Sequence, residues 1–492
     1  MNKIYRTAEV VLMWLGEEEE DSEVAFNSIP TLSHASQQAG YSSESSTRSS
    51  SSTDPILEAV DAILEKERVA YGWAKLARRT YFRRAWIFQE IILAGSRGRV
   101  MCGSLSSPWD LFKAALRGYH AWTHDWVLSI NTIFDNDDDF RENGRLKFLL
   151  AIVAMSEFRC SNPRDRVFAT LGLVEQDYIT ADYTNTVQAV IVKANILCIQ
   201  AHQGLGLWML SDFTITTRLQ GLPSWAVDIT QSLKASPEPW KVNIDFGDLM
   251  RSAMRTRQMT ASFTTLYVDG CIIDKIIFAT AITKEKETFD IVKPAIQAMS
   301  MLHRGLYDLY PYASNITDGT IGRYRKETNG EALLAALLEP YDESPQEEVD
   351  FEAFLAWKLS KDNSIPDNNV SKHPPSSLHS RIATWNTRSQ ESKTFDLAVC
   401  KDMERRHRFY RSLVYTEKGC FGLSGDAEVC EGMVIALVDG VEDLTLLKKR
   451  TQGRDEWYER CGRVFIYGWD EQSIRTLDDI KGDVKMVRLE IR

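Results

Sequence analysis

The chain has 492 residues, of which 44% are hydrophobic and 26% are charged, as in a soluble, folded protein of roughly three domains. Its formal net charge of −11 argues against general binding to nucleic acids or to anionic membranes, since both need a basic surface. The longest apolar runs, such as residues 148–155, are far shorter than the roughly 20 residues that cross a bilayer. The eight cysteines form no C-x-x-C pair, which predicts a reduced, cytoplasmic chain.

The first region opens with a β-branched and aromatic run at residues 10–15, which predicts a buried strand ending at Gly16. An acidic turn follows, and the serine-rich residues 33–53 predict a disordered insertion, since they offer little apolar surface to bury. Helices are expected at residues 80–90 and 107–118, with short strands at 91–94 and 99–102 between them.

The middle region, residues 119–410, is predicted to be mostly helical, with helices at 145–157, 163–171 and 187–201. Within it, residues 263–280 predict a β-hairpin that turns at Asp269-Gly270. From residue 411 to residue 492, short apolar runs separated by glycine predict a β-rich module. The fold class is therefore mixed α/β, or α+β when the chain is taken as a whole.

Two patterns resemble metal sites, but the sequence predicts no metal. Asp135 begins an acidic run with calcium-like spacing, yet Phe140 and Leu146 occupy the positions where an EF-hand needs Gly and Glu. A solvated acidic loop is the preferred interpretation. His120 and His124 have the spacing of helical zinc ligands, but no general base or third ligand accompanies them, so aromatic packing is preferred.

The segment at residues 80–90 carries the strongest candidate site. Trp86 and Glu90 are separated by one helical turn and share a face, and Arg83 precedes Trp86 by one turn. Arg84 and Gln89 complete a polar set among apolar residues at the end of the helix. The structural alternative is an amphipathic helix in which Glu90 pairs with an arginine.

Several segments, in order, resemble one family. The residues MNKIYRTA (1–8), VLMWLG (11–16) and YFRRAWIFQE (81–90), followed by Ala94 and Cys102-Gly103, are similar to the second half of the fungal HET (heterokaryon incompatibility) domain. The later segments NPRDRVFATLGL (162–173), LPSWAVD (222–228) and YTEKGCFGL (415–423) resemble segments that follow this domain. With Gly432 and residues 461–468, the resemblance spans nearly the whole chain.

This sequence also differs from the family that it resembles. Members of the family usually carry, upstream of such segments, a strand with a Tyr-x-Trp-Gly-like motif and a second strand followed by Cys-Ile-Asn-Gln. Because neither occurs in this sequence, Met1 resembles an internal methionine of the family. Either the gene model starts too late, in which case we expect the upstream DNA to encode these strands, or the protein is a degenerate member that lacks half of its α/β domain. Residues 1–118 would then be the C-terminal part of a HET domain, a partial TIR-like α/β module.

The family implies a role in non-self recognition and regulated cell death, exerted through binding of other proteins, with self-association as one form. TIR-like enzymes that cleave NAD place a catalytic glutamate four residues after a tryptophan, which matches Trp86 and Glu90. An NAD glycohydrolase is therefore the first alternative, with NAD as substrate and no cofactor. A scaffold protein without signalling activity is the second alternative.

Overall fold

The computed structural model describes nineteen stretches or single positions of the chain: residues 2–19, 21–38, 67–123, 137, 140, 148–156, 158–174, 179–202, 205–209, 218–231, 259–282, 288–302, 309–311, 324–328, 333, 412–425, 428–441, 443–467 and 487–492. These residues form two compact units, Met1–Leu197 with Ile229–Leu233, and Cys198–Asp228 with Lys234–Arg492. The units do not coincide with the three regions expected from the sequence. None of the described helices is both long enough and apolar enough to cross a membrane.

The first unit is a mixed α/β structure. Its strands are β1 (Val11–Trp14), β2 (Gly98–Cys102) and β3 (Leu105–Pro108). Its helices are α1 (Asn2–Thr7), α2 (Ser22–Gln38), α3 (Glu67–Ala77), α4 (Ala85–Ala94), α5 (Trp109–Thr123), α6 (Phe148–Met155) and α7 (Asp165–Phe168), with 3-10 turns at Thr80–Arg83 and Gly95–Arg97. A further helix, α8 (Val187–His202), crosses the boundary between the units and confirms the helix expected at 187–201.

The sheet of the first unit has the order β1-β2-β3. β1 runs parallel to β2, and β2 runs antiparallel to β3. The long connection between the two parallel strands contains α2, α3 and α4, as a parallel pair requires. Trp73, Trp109 and Phe112 are fully buried in the core beside this sheet, and the rings of Trp73 and Phe112 lie 5.3 Å apart.

Three local predictions for this unit are corrected. Residues 33–38 belong to α2 rather than to a disordered insertion, because Leu32 and Ala35 continue the buried stripe of that helix. Residues 39–53 lie outside the described part of the chain. Residues 91–94 are helical rather than a strand, since Gly95 is the first residue able to end α4. β1 is buried on only one face, not on both.

The second unit contains β4 (Thr260–Ala261), β5 (Leu266–Ala281), β6 (Leu309–Pro311), β7 (Tyr324–Thr328), β8 (Ser412–Thr416), β9 (Phe421–Ser424), β10 (Val434–Val438), β11 (Thr445–Gln452), β12 (Asp455–Arg463), β13 (Phe465–Ile466) and β14 (Val487–Ile491). Its further helices are α9 (Gly206–Met209) and α10 (Thr288–Met301). The short apolar runs predicted to be strands after residue 412 are found in β8 to β13. β6 and β7 are short strands within the middle region that the sequence predicts to be mostly helical.

The strand pairings of the second unit close on themselves. β5 pairs with β10, which continues through β11 and β12 to β14, and β14 pairs again with β5. These five strands form a closed circuit around buried residues such as Leu437, Leu446 and Leu489. The second half of β5 leaves the circuit and pairs with β8, which leads to β9 and β13.

The predicted hairpin at residues 263–280 is wrong, because β5 is one uninterrupted strand. Asp269-Gly270, the expected turn, lies between two partner strands: Gly270 is opposite both Val487 of β14 and Val438 of β10. A Cβ atom at Gly270 would lie 2.5 Å from Leu489 Cδ1 and 2.8 Å from the Leu437 carbonyl oxygen. Glycine is needed there for close packing of strands, not for a turn.

Candidate functional site

The predicted site lies at the start of α4, where the chain is not one continuous helix. The 3-10 turn Thr80–Arg83 ends at Arg84, whose backbone is extended (φ −85°, ψ 133°), and α4 begins at Ala85. Main-chain hydrogen bonds hold this break: the amide of Ala85 donates to the Arg159 carbonyl (2.9 Å), and the amide of Arg159 donates to the Arg83 carbonyl. Arg83 and Trp86 therefore lie on different helical segments, which corrects the expectation that one helix carries both.

Glu90 lies on α4 and is held by two tyrosines from different elements. The hydroxyl of Tyr5, on α1, donates to Glu90 Oε1 over 2.9 Å. The hydroxyl of Tyr81, on the 3-10 turn, donates to Glu90 Oε2 over 3.4 Å. Each carboxylate oxygen thus accepts a hydrogen bond from one phenol, and the carboxylate has a fixed orientation in a partly buried position.

The electrostatics of this cluster favour the neutral form of both phenols. Burial, followed by the charge of Glu90 and its hydrogen bond, raises the pKa of Tyr5 to about 12. The same causes, in the same order, raise the pKa of Tyr81 far above its ordinary value. The positive charge of Arg84 lowers both values slightly, so Arg84 is close enough to act on the cluster.

The expected ion pair between Glu90 and an arginine is not formed within the described residues. Arg84 is exposed and Arg83 is half-buried. The two tyrosines take the place of that arginine, so Glu90 is stabilised by hydrogen bonds instead. The sequence did not identify Tyr5 or Tyr81, because one lies in another helix and the other precedes the break at Arg84. No pattern around the segment could have indicated them, since Tyr81 is the one tyrosine in residues 80–90 and Tyr5 is distant in sequence.

The two remaining predicted residues differ in burial. Trp86 is partly buried and packs against the core of the first unit. Gln89 is buried, and its Nε2 donates to the Ala169 carbonyl over 3.2 Å. Its Oε1 accepts no hydrogen bond from the described residues. Gln89 therefore fixes α4 against the chain after α7, while Trp86 and Glu90 reach the surface on the same helix face.

The segment at residues 162–173, singled out by the resemblance, contains two arginines that bind main-chain carbonyls outside α4. Arg166 Nη1 donates to the carbonyls of Met155 and Ser156, both over 2.8 Å, and so satisfies the end of α6. Arg164 Nε donates to the Asn185 carbonyl. The charged residues of this motif thus stabilise backbone ends, which is a structural role.

The LPSWAVD segment (222–228) is part of the core of the second unit. Trp225 is fully buried, and its carbonyl accepts a hydrogen bond from Trp208 Nε1 over 2.8 Å. The guanidinium of Arg460 lies 4.4 Å from the centre of the Trp208 ring. Burial, and then the nearby Arg463 and Arg218, lower the pKa of Arg460 well below its usual range.

No group of three or more His, Cys, Asp and Glu side chains among the described residues is arranged to hold a metal ion. The acidic run at 135–139 is not a solvated loop at Asp137, because this side chain is fully buried and lies 2.7 Å from Lys113 Nζ. Asp135 and His124, and the side chain of His120, lie outside the described part of the chain.

Comparisons with known proteins bear on the segment that contains this site. No curated protein and no solved structure matches the chain. A family model does match residues 1–90, and its description is heterokaryon incompatibility protein (HET). The matched residues include Tyr5, Tyr81, Trp86 and Glu90, so both the carboxylate and the phenols that hold it are part of the match. Residues 1–90 are thus similar to the HET family, as the sequence resemblance indicated.

Proposed function

We propose that this chain is a heterokaryon-incompatibility-type protein that takes part in fungal non-self recognition and regulated cell death in the cytoplasm. It would act by binding other proteins rather than by catalysis. One observation favours protein binding over catalysis: both carboxylate oxygens of Glu90 accept hydrogen bonds from tyrosines of the protein itself. This arrangement supports a role for Glu90 in joining α1, the 3-10 turn and α4.

The chemistry of NAD cleavage explains why the hydrogen bonds from the two tyrosines to Glu90 matter. To cleave NAD, a carboxylate must face the ribose and stabilise the positive charge that develops at its anomeric carbon. A carboxylate oxygen that already accepts a hydrogen bond from a phenol stabilises such a positive charge less well, because that hydrogen bond neutralises part of its negative charge. Glu90 would first have to exchange Tyr5 or Tyr81 for the substrate.

A second candidate function is nevertheless favoured by a specific observation. Trp86 and Glu90 lie one turn apart on the same helix face, and both are only partly buried. A nicotinamide ring could stack on Trp86 while Glu90 faced the ribose, so an NAD glycohydrolase remains the alternative proposal. NAD would be its substrate.

One experiment separates the two functions. The purified chain is incubated with NAD, and released nicotinamide is measured for the wild type and for Glu90→Gln, which keeps the shape of the side chain, removes its charge and replaces one accepting oxygen with an NH2 donor. Asp110→Gln, which changes an acidic residue on another helix of the same unit, is the control. We expect no turnover from any of the three proteins. Nicotinamide release that is lost only in Glu90→Gln would overturn the binding proposal in favour of the enzyme.

The binding role itself is tested in cells. The chain and its Glu90→Gln variant are expressed from an inducible promoter in a fungal host, and viability is measured with a dye that enters dead cells. We expect both proteins to cause cell death, and proteins that copurify with the active chain to be candidate partners. If neither protein reduces viability in any genetic background that is tested, the scaffold alternative is the better description.

A further inference from the structure

The outer end of the β11–β12 hairpin extends beyond the closed circuit. β10 pairs with β11 only as far as Leu447, and β14 pairs with β12 only at Tyr458. Among the described strands, residues 448–457 therefore pair only with each other, and they turn at Gly453 and Arg454. A two-stranded ribbon of this kind has little stability of its own and opens locally at low cost. We call residues 448–457 the ribbon.

The ribbon carries an exposed hydroxyl group. The strands β8 to β13 contain five serines and threonines, and four of them are buried, namely Ser412, Thr416, Ser424 and Thr445. The fifth, Thr451, is exposed. Its backbone is already extended as part of β11. Of the hydroxyl groups in these six strands, that of Thr451 is therefore the one within reach of another enzyme.

The charges around Thr451 indicate which enzyme would recognise it. Three consecutive cations, Lys448, Lys449 and Arg450, precede Thr451, and Arg454 follows it. Residues 448–456 include four basic and two acidic side chains, which gives them a formal charge of +2 within a chain of −11. A basic run directly before an exposed hydroxyl group is complementary to a protein kinase with an acidic substrate groove, since kinases select their substrates by such charge patterns.

The ribbon also holds a cation beside the Thr451 side chain. Glu456 lies directly opposite Thr451 in the strand register, and Lys449 Nζ is 2.8 Å from Glu456 Oε2. Lys449 and Thr451 are two positions apart on one strand, so their side chains share a face. A phosphate on Thr451 would repel the Glu456 carboxylate and attract the Lys449 ammonium. The ion pair of Lys449 can therefore transfer from Glu456 to the phosphate.

We propose that Thr451 is a phosphorylation site for a serine/threonine kinase that selects basic residues before the acceptor, and that Lys449 binds the phosphate. Thr451 Oγ1 attacks the γ-phosphorus of ATP, the bond from that phosphorus to the β-phosphate oxygen breaks, ADP leaves, and a carboxylate of the kinase accepts the hydroxyl proton. The phosphate adds a charge of about −1.5 to −2 at pH 7, which offsets the basic charge of the ribbon. This inference goes beyond the proposed function, since it needs neither an incompatibility partner nor NAD.

A second threonine provides an internal comparison. Thr80 is exposed and follows two arginines, Arg78 and Arg79. However, the Arg79 side chain is only 14% exposed, and its Nη1 lies 3.1 Å from Glu19 Oε1. Thr80 also begins a 3-10 turn, whereas Thr451 lies in an extended strand. The two threonines look similar in the sequence, and the structure distinguishes them.

The first test incubates the purified full chain with magnesium, ATP and cAMP-dependent protein kinase, and locates phosphate by tandem mass spectrometry. We expect phosphorylation of Thr451 at a rate about tenfold or more above that of Thr80, and a loss of about tenfold in that rate in Lys448→Gln, because the kinase then meets one cation fewer. Lys75→Gln, the same substitution on α3, is the control and should leave the rate at Thr451 unchanged. Circular dichroism verifies that both variants are folded.

A second measurement tests the position of the phosphate. Phosphorus NMR of the phosphorylated chain follows the second ionisation of the phosphate, whose pKa is ordinarily about 6. A neighbouring ammonium stabilises the dianion and lowers this pKa, so Lys449→Gln should raise it. Lys448→Gln is the matched control, because the side chain at 448 lies on the opposite face of the strand and its loss should change the pKa less.

Three results would overturn the proposal. The first is a full-length chain that the kinase does not phosphorylate at Thr451, whether or not it phosphorylates a synthetic peptide of residues 445–456. The second is an equal rate at Thr451 and Thr80. The third is a phosphate pKa that Lys449→Gln leaves unchanged. None of these results would bear on NAD cleavage or on cell death.

Discussion

The hydroxyl of Tyr5 donates a hydrogen bond to Glu90 Oε1 over 2.9 Å, which joins two residues that are 85 positions apart in the chain. The contact links the first helix of the structure to α4, and Tyr81 completes it at the other carboxylate oxygen. Glu90 thus belongs to a three-residue network before any ligand is considered, and its substitution affects the stability of the first unit as well as any activity.

We expect Tyr5→Phe to lower the free energy of unfolding by about 1–2 kcal/mol, because it removes a hydrogen bond to a charged acceptor in a partly buried position. Tyr71→Phe is the matched control, since Tyr71 is an exposed tyrosine of the same unit, and its loss should be within about 0.5 kcal/mol of zero. Urea denaturation measures both values. Equal effects of the two substitutions would show that the hydrogen bond from Tyr5 to Glu90 does not stabilise the folded protein.

Two tryptophans of the first unit should differ in their contribution to stability. Trp73 is fully buried, and its Nε1 donates to Ser28 Oγ over 2.9 Å. We expect Trp73→Ala to cost about 3–5 kcal/mol and Trp86→Ala to cost about 1–3 kcal/mol, because Trp86 is only partly buried. Thermal and urea unfolding provide the comparison. A larger loss for Trp86→Ala would mean that its ring packs more closely than its exposure indicates.

The buried pair of Lys113 and Asp137 should be sensitive to the loss of either partner. Lys113→Met leaves a carboxylate in a buried position without its ammonium neighbour, and we expect a cost of about 3–5 kcal/mol. Lys449→Met removes the same type of charge from an exposed pair with Glu456, where the cost should be about 0–1 kcal/mol. Denaturation of both variants gives the difference. Similar losses would contradict the burial of this pair.

Asp274, on β5, should make the stability of the second unit depend on pH. Burial raises its pKa, although the hydrogen bonds from Thr416 and the amides of Lys275 and Lys418 act in the opposite direction. Its Oδ2 accepts no hydrogen bond from the described residues. The folded protein therefore holds the Asp274 proton more tightly than the unfolded chain does, and this contribution to stability is lost as pH rises through the folded pKa.

We expect Asp274→Asn to remove that part of the pH dependence and to equal or exceed the wild type in stability at pH 7. The control is Asp269→Asn on the same strand, where an exposed pair with Arg488 is lost. There the substitution should lower stability by about 0–1 kcal/mol at pH 7. Melting temperatures measured from pH 4 to pH 8 distinguish the two. A wild type that becomes more stable than Asp274→Asn as pH rises would contradict the prediction.

The helices and strands that could be predicted are those whose signal lies in residues close together in the sequence. α8 was predicted within one residue of its end, because its apolar residues leave little alternative to a buried helix. The strands β8, β9, β10, β11 and β13 were predicted because glycines separate their apolar runs, whereas the largely polar β12 was not. These signals are local, and they need no knowledge of which strand pairs with which.

The remaining features depend on distant residues. Asp269-Gly270 is a typical turn sequence, and only the strands on both sides of it reveal that Gly270 is needed for close packing. Asp137 lies in an acidic run that is typical of solvated loops, and Lys113 is what allows its burial. Of the candidate site, Trp86 and Glu90 were identified from their spacing. The phenols that hold Glu90 were not, because hydrogen-bond partners cannot be read from a helical period.

The closed circuit of five strands has a consequence for the synthesis of the protein. β5 can complete its pairing only after β14 has been synthesised. These strands are distant in sequence: their ion-paired residues Asp269 and Arg488 are 219 positions apart. At a translation rate of roughly 5–20 residues per second, β5 leaves the ribosome roughly 10–40 s before its partner is made. During that time its apolar residues have no completed sheet to join. The circuit of the second unit therefore cannot close until translation has passed Val487, whereas the three-stranded sheet of the first unit is complete in sequence at Pro108.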